Sequence, residues 1–211
     1  ERTADGIRAS TSAGDLCARR VVICAGAWTA PLLSTLGVTL PLVVTRQTMH
    51  WFMPADDASI VCADRLPVAL IEHDGGHIFY TMPDVGDGVK AAIHHEGAAV
   101  DVDAVDRVVH ASDTQAVEGL VARFLPGAGA SVRESAVCLY TNTPDHDFII
   151  DTLDGMADVV VVSACSGHGF KFASAIGDIA ARMALGESAD MDVSHFAAAR
   201  FGVSRPDAVR S

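Results

Sequence analysis

The pattern of apolar and polar residues divides the chain into three sections. Near the start, the segment 19–26 is a short apolar run that predicts a strand buried on both faces, as in a parallel sheet. Apolar residues then recur at helical spacing from Trp28 to Leu36, and Gly37 is a typical helix stop. A strand, a turn and a helix in this order are typical of an α/β domain.

The middle section contains strand patterns with no helix between them. Four runs rich in β-branched and aromatic residues are predicted as strands: 38–53, 66–72, 77–81 and 89–94. Because glycine-rich turns separate these runs, a mostly antiparallel sheet is favoured. A helix is predicted over 112–125, with Ser112 and Gln115 as its capping box.

The last section returns to the α/β pattern. Strands are predicted over 131–141, 148–151 and 159–163, and a helix over 170–185 that ends at Gly186. Two α/β sections on either side of an antiparallel one predict a discontinuous domain with an inserted second domain. We therefore expect the following parts: 1–40 and 144–200 in one domain, 41–143 in the inserted domain, and 201–211 as a frayed tail.

Composition and charge restrict the class of protein. Half of the residues are apolar and 20% are charged, which is typical of a globular chain. The formal net charge of −12 disfavours nucleic acids and anionic membranes as partners. The five cysteines have no close spacing, so a disulfide framework and a zinc ribbon are not expected, and a reducing, cytoplasmic compartment is favoured. The chain has no apolar run of membrane-spanning length. It begins at Glu1 as if within a domain, so we expect one piece of a longer polypeptide.

The segment 166–172 joins a predicted buried strand to a predicted helix through small residues, including Gly167 and Gly169. The first N–H groups of a helix have no partner within it, and they attract anions and electron-rich atoms. Lys171 lies in the first turn, where a cation is locally unfavourable, which suggests an anionic partner such as a carboxylate. A tight glycine turn with a solvent-exposed lysine explains the same residues equally well. Phe172 stands where a dinucleotide-binding GxGxxG motif requires glycine, so that motif is not met.

Alternation places chemically reactive side chains on common strand faces. Cys138 and Tyr140 share one face of their strand, and Lys90 shares a face with His94. In a cavity, these groups would have charge states adjusted for chemistry. A core cysteine, and an edge strand with a solvated polar face, are the alternatives. His94 and His95 are expected to point to opposite faces, so no metal site is predicted.

These segments, in this order, resemble the monomeric sarcosine oxidase and N-methyltryptophan oxidase family of FAD-dependent amine oxidases. The resemblance extends to about Phe196. Its motifs are Val22 to Trp28, Arg46-Gln47, Tyr80 with Pro83, Gly88-Val89-Lys90 with His94, Cys138 to Thr141 with Pro144-Asp145, Phe148 to Asp151, and Ser166 to Phe172. The family fold that this implies is α/β (α+β): part of a glutathione-reductase-like FAD-binding domain with an inserted, mostly antiparallel substrate domain.

The resemblance implies a role for each matching position of the inserted domain. Cys138 matches the cysteine that bonds covalently to the 8α-methyl carbon of the flavin. Tyr140 and His94 match residues that line the substrate side of the flavin, and Lys90 matches the lysine near flavin N5 that is implicated in oxygen activation.

In the other domain, Lys171 matches the lysine that helps to bind the substrate carboxylate. Gly167, Gly169 and Phe170 match the helix start at the pyrimidine end of the flavin. A further match is the turn of the FAD-binding domain formed by Gly26, Ala27 and Trp28. The thiol of Cys138, the ammonium groups of Lys90 and Lys171, and the imidazole of His94 are expected to surround one slot wide enough for a tricyclic ring.

The activity implied is oxidation of the C–N bond of a small amine or amino acid that carries a carboxylate. The product is an imine, and molecular oxygen is reduced to hydrogen peroxide. A flavin dehydrogenase or a cyclic imino acid oxidase is one alternative. A second alternative is a non-catalytic fragment or subunit completed by a chain that supplies the GxGxxG unit. Because the family's GxGxxG unit is absent from the sequence, the chain alone is expected to bind FAD weakly or not at all.

Overall fold

The computed structural model describes residues 1–54, 57–129 and 131–203. The chain forms two compact units. The first unit combines Glu1–Val43 with the described residues from Thr141 onward, and the second unit is Val44–Tyr140. None of the helices in the described residues has both the length and the apolar character needed to cross a membrane.

The first unit opens with a small antiparallel sheet that the sequence analysis did not predict. Its strands are β1 (Arg2–Thr3), β2 (Gly6–Thr11) and β3 (Gly14–Ala18). The predicted strand 19–26 is confirmed only as β4 (Val21–Ile23). A 3-10 turn, Gly26–Trp28, then leads into α1 (Thr29–Ser34).

The second sheet of the first unit has the order β10-β11-β4. Its other strands are β10 (Ile149–Leu153) and β11 (Met156–Ser163), which pair antiparallel with each other, whereas β11 runs parallel to β4. The helix α3 (Ala173–Leu185) follows a 3-10 turn at Phe170–Phe172 and ends at Gly186 in the left-handed conformation, as predicted.

Both faces of β11 are covered, as its continuous apolar run predicts. Val159 and Val161 lie in one core cluster with Leu33 of α1. Val160 lies in a second cluster with Ile176 of α3. The strand therefore joins two apolar cores of the first unit.

The second unit is built on a five-stranded sheet of order β6-β7-β8-β5-β9. The strands are β5 (Val43–Met53), β6 (Ala69–His73), β7 (His77–Met82), β8 (Val89–His94) and β9 (Ser131–Asn142). The pairs β6–β7, β7–β8 and β8–β5 are antiparallel, so the predicted fold class, a mixed α/β chain with a mostly antiparallel middle section, is confirmed. The helix α2 (Ala111–Phe124) packs Val117 and Val121 against Phe52, Phe79 and Val89 on one face of this sheet.

Two local predictions were wrong, and a third lies largely outside the described residues. The strand predicted from 38 begins at Val43, because Val38 and Leu40 are buried in the first unit's core cluster instead. The Ser112–Gln115 capping box is absent, because α2 begins one residue earlier and the Asp113 carboxylate accepts the His110 backbone N–H at 2.9 Å. The predicted tail lies outside the described residues from 204 onward, and Phe201 packs against the core.

Candidate functional site

One face of the second unit's sheet, the face opposite α2, carries the predicted site residues of that unit; we call it the site face. Side chains that are directly paired across neighbouring strands point to the same face of a sheet. Three cross-strand rows follow from the registers: Trp51–Lys90–Met82, Ala92–Tyr80–Leu70 and His94–Ile78–Glu72. The shared face of Lys90 and His94 is therefore a feature of the fold. The edge-strand alternative is wrong, because β8 lies in the middle of the sheet.

Two phenols and an imidazole lie together on the site face. Nδ1 of His94 lies 3.2 Å from the hydroxyl of Tyr140. The Tyr80 ring meets the His94 ring edge-on, with 6.0 Å between the ring centres. Burial raises the pKa of both phenols, so both remain protonated at neutral pH and can act as hydrogen-bond donors.

Cys138 precedes Tyr140 by two residues on β9, so its side chain points to the same face. The thiol is partly buried, and burial raises its pKa. The positive charges of Lys90 and Arg107 oppose this effect by lowering the pKa. Burial outweighs the two cations, so the thiol is protonated at neutral pH in the chain as it stands.

Arg46, which belongs to the Arg46-Gln47 motif, holds in place the segment that carries Arg107. Its guanidinium donates to the Asp113 carboxylate at 2.8 Å and to the backbone carbonyls of Asp106 at 2.9 Å and Val108 at 2.6 Å. Arg107 lies between these two anchored residues. The Arg46 motif is therefore structural within the second unit.

Lys90 lies over the indole of Trp51, with 5.4 Å between Nζ and the ring centre. Among the residues that the structure describes, no carboxylate forms an ion pair with it. Its positive charge is thus held on the site face without being neutralised.

His95 departs from the expected alternation. Its φ of 64° lies in the left-handed region, which a histidine adopts only at a sharp change of chain direction. The rings of His94 and His95 consequently come within 4.0 Å of each other, and His95 lies 5.3 Å from the Tyr140 ring. The prediction that the two histidines point to opposite faces is wrong for this reason.

In the first unit, the segment 166–172 is a tight loop between β11 and α3. Ser166 is fully buried, with φ of 40°, and its hydroxyl donates to the carbonyl of Asp147 at 2.8 Å. A Cβ atom at Gly169 would lie 1.7 Å from the carbonyl oxygen of Ala164, so only glycine fits there. Gly167 has a φ of 73°, which also favours glycine.

Lys171 follows this loop in the 3-10 turn before α3. Its Nζ lies 5.2 Å from the centre of the Phe172 ring, and Phe170 is 95% exposed. Neither the turn nor α3 has a side chain that caps its first N–H groups. Backbone donors and an ammonium group therefore lie together in the same short segment, and the anionic partner of Lys171 stays a prediction.

The turn after β4 completes the predicted set. Gly26 has a φ of 53°, Ala27 is buried, and Trp28 is about half exposed. The N–H of Trp28 donates to the carbonyl of Ala25 at 3.0 Å, which closes the turn. The role of these three residues in cofactor binding stays a prediction.

Comparison with known proteins decides the family. The model of the FAD dependent oxidoreductase family, DAO, matches residues 1–183. The chain belongs to this family.

Relatives of the chain include two oxidases. Monomeric sarcosine oxidase of Bacillus sp. (strain NS-129) is 34% identical over 199 residues, which cover 93% of this chain and 51% of the relative. N-methyl-L-tryptophan oxidase of Yersinia pestis (strain Pestoides F) is 36% identical over 198 residues, which cover 93% of this chain and 52% of the relative. The chain thus spans about half the length of the curated relatives it matches.

Solved structures share the fold of this chain at lower identity. NikD, an unusual amino acid oxidase essential for nikkomycin biosynthesis, superimposes with a TM-score of 0.76 at 22% identity, over 93% of this chain and 52% of that one. L-proline dehydrogenase from P. horikoshii gives a TM-score of 0.75 at 18% identity, over 92% of this chain and 50% of that one.

The structure also identifies neighbours of the predicted site that no single sequence pattern reveals. Trp51, Arg107 and His95 were not predicted as site residues, and Tyr80 was noted only as part of a motif. The contacts of Trp51 and Tyr80 depend on the cross-strand register. The contacts of His95 depend on a positive φ, which the alternation of side chains along a strand does not predict.

Proposed function

We propose that this chain supplies substrate- and cofactor-binding residues of an FAD-dependent oxidase. The proposed reaction converts the C–N bond of a small amine or amino acid with a carboxylate into an imine and reduces molecular oxygen to hydrogen peroxide. Membership of the FAD dependent oxidoreductase family supports the cofactor. The observation that carries the reaction is the grouping of Lys90, His94, Tyr80 and Tyr140 on one sheet face.

The residues present fit a flavin by their chemistry. When bound, FAD accepts a hydride from the carbon next to the amine. The positive end of the helical segment that begins at Phe170, together with Lys171, can stabilise negative charge at the cofactor or the substrate. We assign Gly167, Gly169 and Phe170 to this cofactor contact, and likewise the turn formed by Gly26, Ala27 and Trp28.

On the site face, the side chains have separate proposed tasks. Tyr140 and His94 orient the substrate, because their hydrogen bond fixes both rings and the protonated phenols can donate to it. Lys171, which lies in the first unit, is the proposed partner of the substrate carboxylate. Lys90 supplies the positive charge that stabilises the anion formed when oxygen accepts an electron, because no carboxylate among the described residues pairs with it.

Cys138 is the proposed point of covalent FAD attachment. Its thiol lies on the same face as Tyr140, and the charges of Lys90 and Arg107 partly offset the rise of its pKa that burial causes. Denaturing electrophoresis of the full-length protein tests this. Flavin fluorescence should migrate with the wild-type protein and be lost in Cys138→Ser, and it should persist in Cys165→Ser, which changes a cysteine of the first unit. Fluorescence that persists in Cys138→Ser contradicts the attachment.

The reaction itself is tested with the full-length protein loaded with FAD. Sarcosine, N-methyl-L-tryptophan and L-proline form a suitable substrate panel, and peroxide is measured by a peroxidase-coupled assay. We expect one peroxide for each imine formed, and a strong increase of the KM for the substrate in Lys171→Met. Turnover with a dye as electron acceptor but without peroxide would instead identify a dehydrogenase, and a protein that binds no flavin would identify a non-catalytic subunit.

A further inference from the structure

The chain contains only two lysines, Lys90 and Lys171, among its 15 basic residues. Arginines form the described ion pairs with structural roles, such as Arg46 with Asp113 and Arg200 with Asp145. Neither lysine forms an ion pair within the part of the chain that the structure describes. Each lies over an aromatic ring instead, at 5.4 Å for Lys90 and 5.2 Å for Lys171.

We propose that Trp51 is a positioning residue that holds the Lys90 ammonium group on the site face without neutralising its charge. This inference rests on the function proposed above, in which Lys90 promotes the reaction with oxygen. Trp51 acts through Lys90, and the lysine is the group that meets the reacting oxygen.

The sheet register fixes this pair. Trp51 of β5 lies directly opposite Lys90 of β8, and Met82 of β7 lies directly opposite Lys90 on the other side. Side chains at directly opposite positions have Cβ atoms about 5 Å apart, which allows the long lysine stem to lie along the indole. The lysine therefore has one neighbour that attracts its charge and one that is apolar.

An aromatic partner has an effect that a carboxylate cannot supply. A free lysine side chain samples many rotamers, and holding it in one place costs entropy. A carboxylate would hold the ammonium group but would also cancel its field. The face of an indole attracts the cation through its quadrupole and leaves the net charge in place. An uncancelled positive charge at a fixed position is what stabilises an anion that forms from oxygen.

The contact of Lys171 with Phe172 provides an internal comparison. Phe172 is the next residue along the chain, and its substitution leaves Trp51, the ring that lies over Lys90, in place. Trp51→Phe retains an aromatic face, whereas Trp51→Leu replaces it with an apolar side chain that has no aromatic ring. The series separates loss of the aromatic face from loss of volume.

The first test observes the lysine directly and requires no turnover. In protein labelled with ¹³C at the lysine ε-carbons, the Lys90 signal is assigned by its loss in Lys90→Arg. We expect its ε-protons to be shifted upfield by the indole ring current. The shift should disappear in Trp51→Leu, be partly retained in Trp51→Phe and be unchanged in Phe172→Leu. A Lys90 signal at the random-coil position in the wild-type protein overturns the proposal.

The second test separates the two halves of the reaction in the holoenzyme. In Trp51→Leu, we expect reoxidation of the reduced enzyme by oxygen to slow by about 10-fold, the size of a partly desolvated cation–π contact. Anaerobic reduction by substrate should change by less than about 2-fold, and Trp51→Phe should recover most of the oxidation rate. An equal slowing of both half-reactions overturns the positioning role. A wild-type enzyme that makes no peroxide contradicts the proposed function, while the NMR signal still decides whether Trp51 holds Lys90.

Discussion

The His94 imidazole and the Tyr140 hydroxyl are joined by a 3.2 Å hydrogen bond between two strands of one sheet, β8 and β9. Tyr80 on β7 extends this contact, because its ring meets the His94 ring edge-on with 6.0 Å between the ring centres. The three rings thus form a connected group that fixes its members relative to one another.

Removing the Tyr140 hydroxyl should therefore affect substrate oxidation more than stability. In Tyr140→Phe we expect the free energy of unfolding to fall by about 1 kcal/mol, since one hydrogen-bonded hydroxyl is lost. The rate of anaerobic flavin reduction should fall by about 10- to 100-fold, because His94 is no longer fixed. Stopped-flow absorbance measures this rate. An unchanged reduction rate together with reduced stability would show that the hydroxyl is only structural.

The same group gives the protein a defined response to alkaline pH. Burial raises the pKa of both tyrosines, Tyr80 and Tyr140, above their usual value of about 10. The folded state then holds protons that the unfolded state has released, so stability should fall as the pH rises above about 10. The raised pKa of the Cys138 thiol has the same sign and contributes from about pH 8.5.

Urea unfolding at a series of pH values measures this effect. Tyr140→Phe should show a shallower loss of stability above about pH 10 than the wild-type protein, because one of the two buried phenols is absent. Parallel curves for the two proteins would show that Tyr140 does not titrate differently on unfolding.

Two glycines in neighbouring elements offer a matched test of the loop before α3. A Cβ at Gly169 would collide with the Ala164 carbonyl, whereas a Cβ at Gly177, within α3, meets nothing within 4 Å. We expect Gly169→Ala to destabilise the protein by about 1–3 kcal/mol or more, since backbone must move. Gly177→Ala should stabilise it by about 0.5–1 kcal/mol through its higher helix propensity. Thermal unfolding of both variants measures the difference, and equal effects would show that the loop has room to relax.

Arg200 connects the end of the described chain to the loop after β9. Its guanidinium binds both oxygens of Asp145, at 2.7 and 3.2 Å, and donates to the carbonyl of Phe148 at 2.7 Å. Arg200→Met should lower the free energy of unfolding by about 1–3 kcal/mol, because a charge-assisted pair and a carbonyl lose their partner.

The pH dependence of this pair has the opposite sign to that of the tyrosines. The hydrogen bond from Arg200 holds the pKa of the Asp145 carboxyl far below its usual value. Its contribution is present above the unfolded value of about 4 and is lost as the pH falls further. Unfolding curves between neutral and acid pH should therefore show less acid destabilisation in Arg200→Met than in the wild-type protein, and identical acid slopes would contradict this account.

The elements that depend on local periodicity were predictable from the sequence. The continuous apolar run of β11 predicted burial on both faces, and alternation along β8 placed Lys90 and His94 together. These features follow from the two-residue repeat of a strand, which a sequence displays directly.

The features that depend on pairing or on unusual backbone were not predictable. Trp51 and Lys90 are about forty residues apart in the sequence, and only the register of β5 against β8 brings them together. His95 has a positive φ that ends the alternation, and no residue nearby signals it. Val38 and Leu40 are apolar enough for a strand, but they are buried in the core of the first unit instead.

The central position of β8 has a consequence for how this protein can change. Val89 and Ala91 are completely buried towards α2, while Lys90 and His94 project from the opposite side of the same strand. Positions 89 and 91 are therefore constrained by folding, whereas positions 90 and 94 are constrained by chemistry. A mutagenesis library restricted to positions 90 and 94 should yield well-folded proteins with altered reactivity, whereas the same diversity at 89 and 91 should be depleted from the soluble fraction.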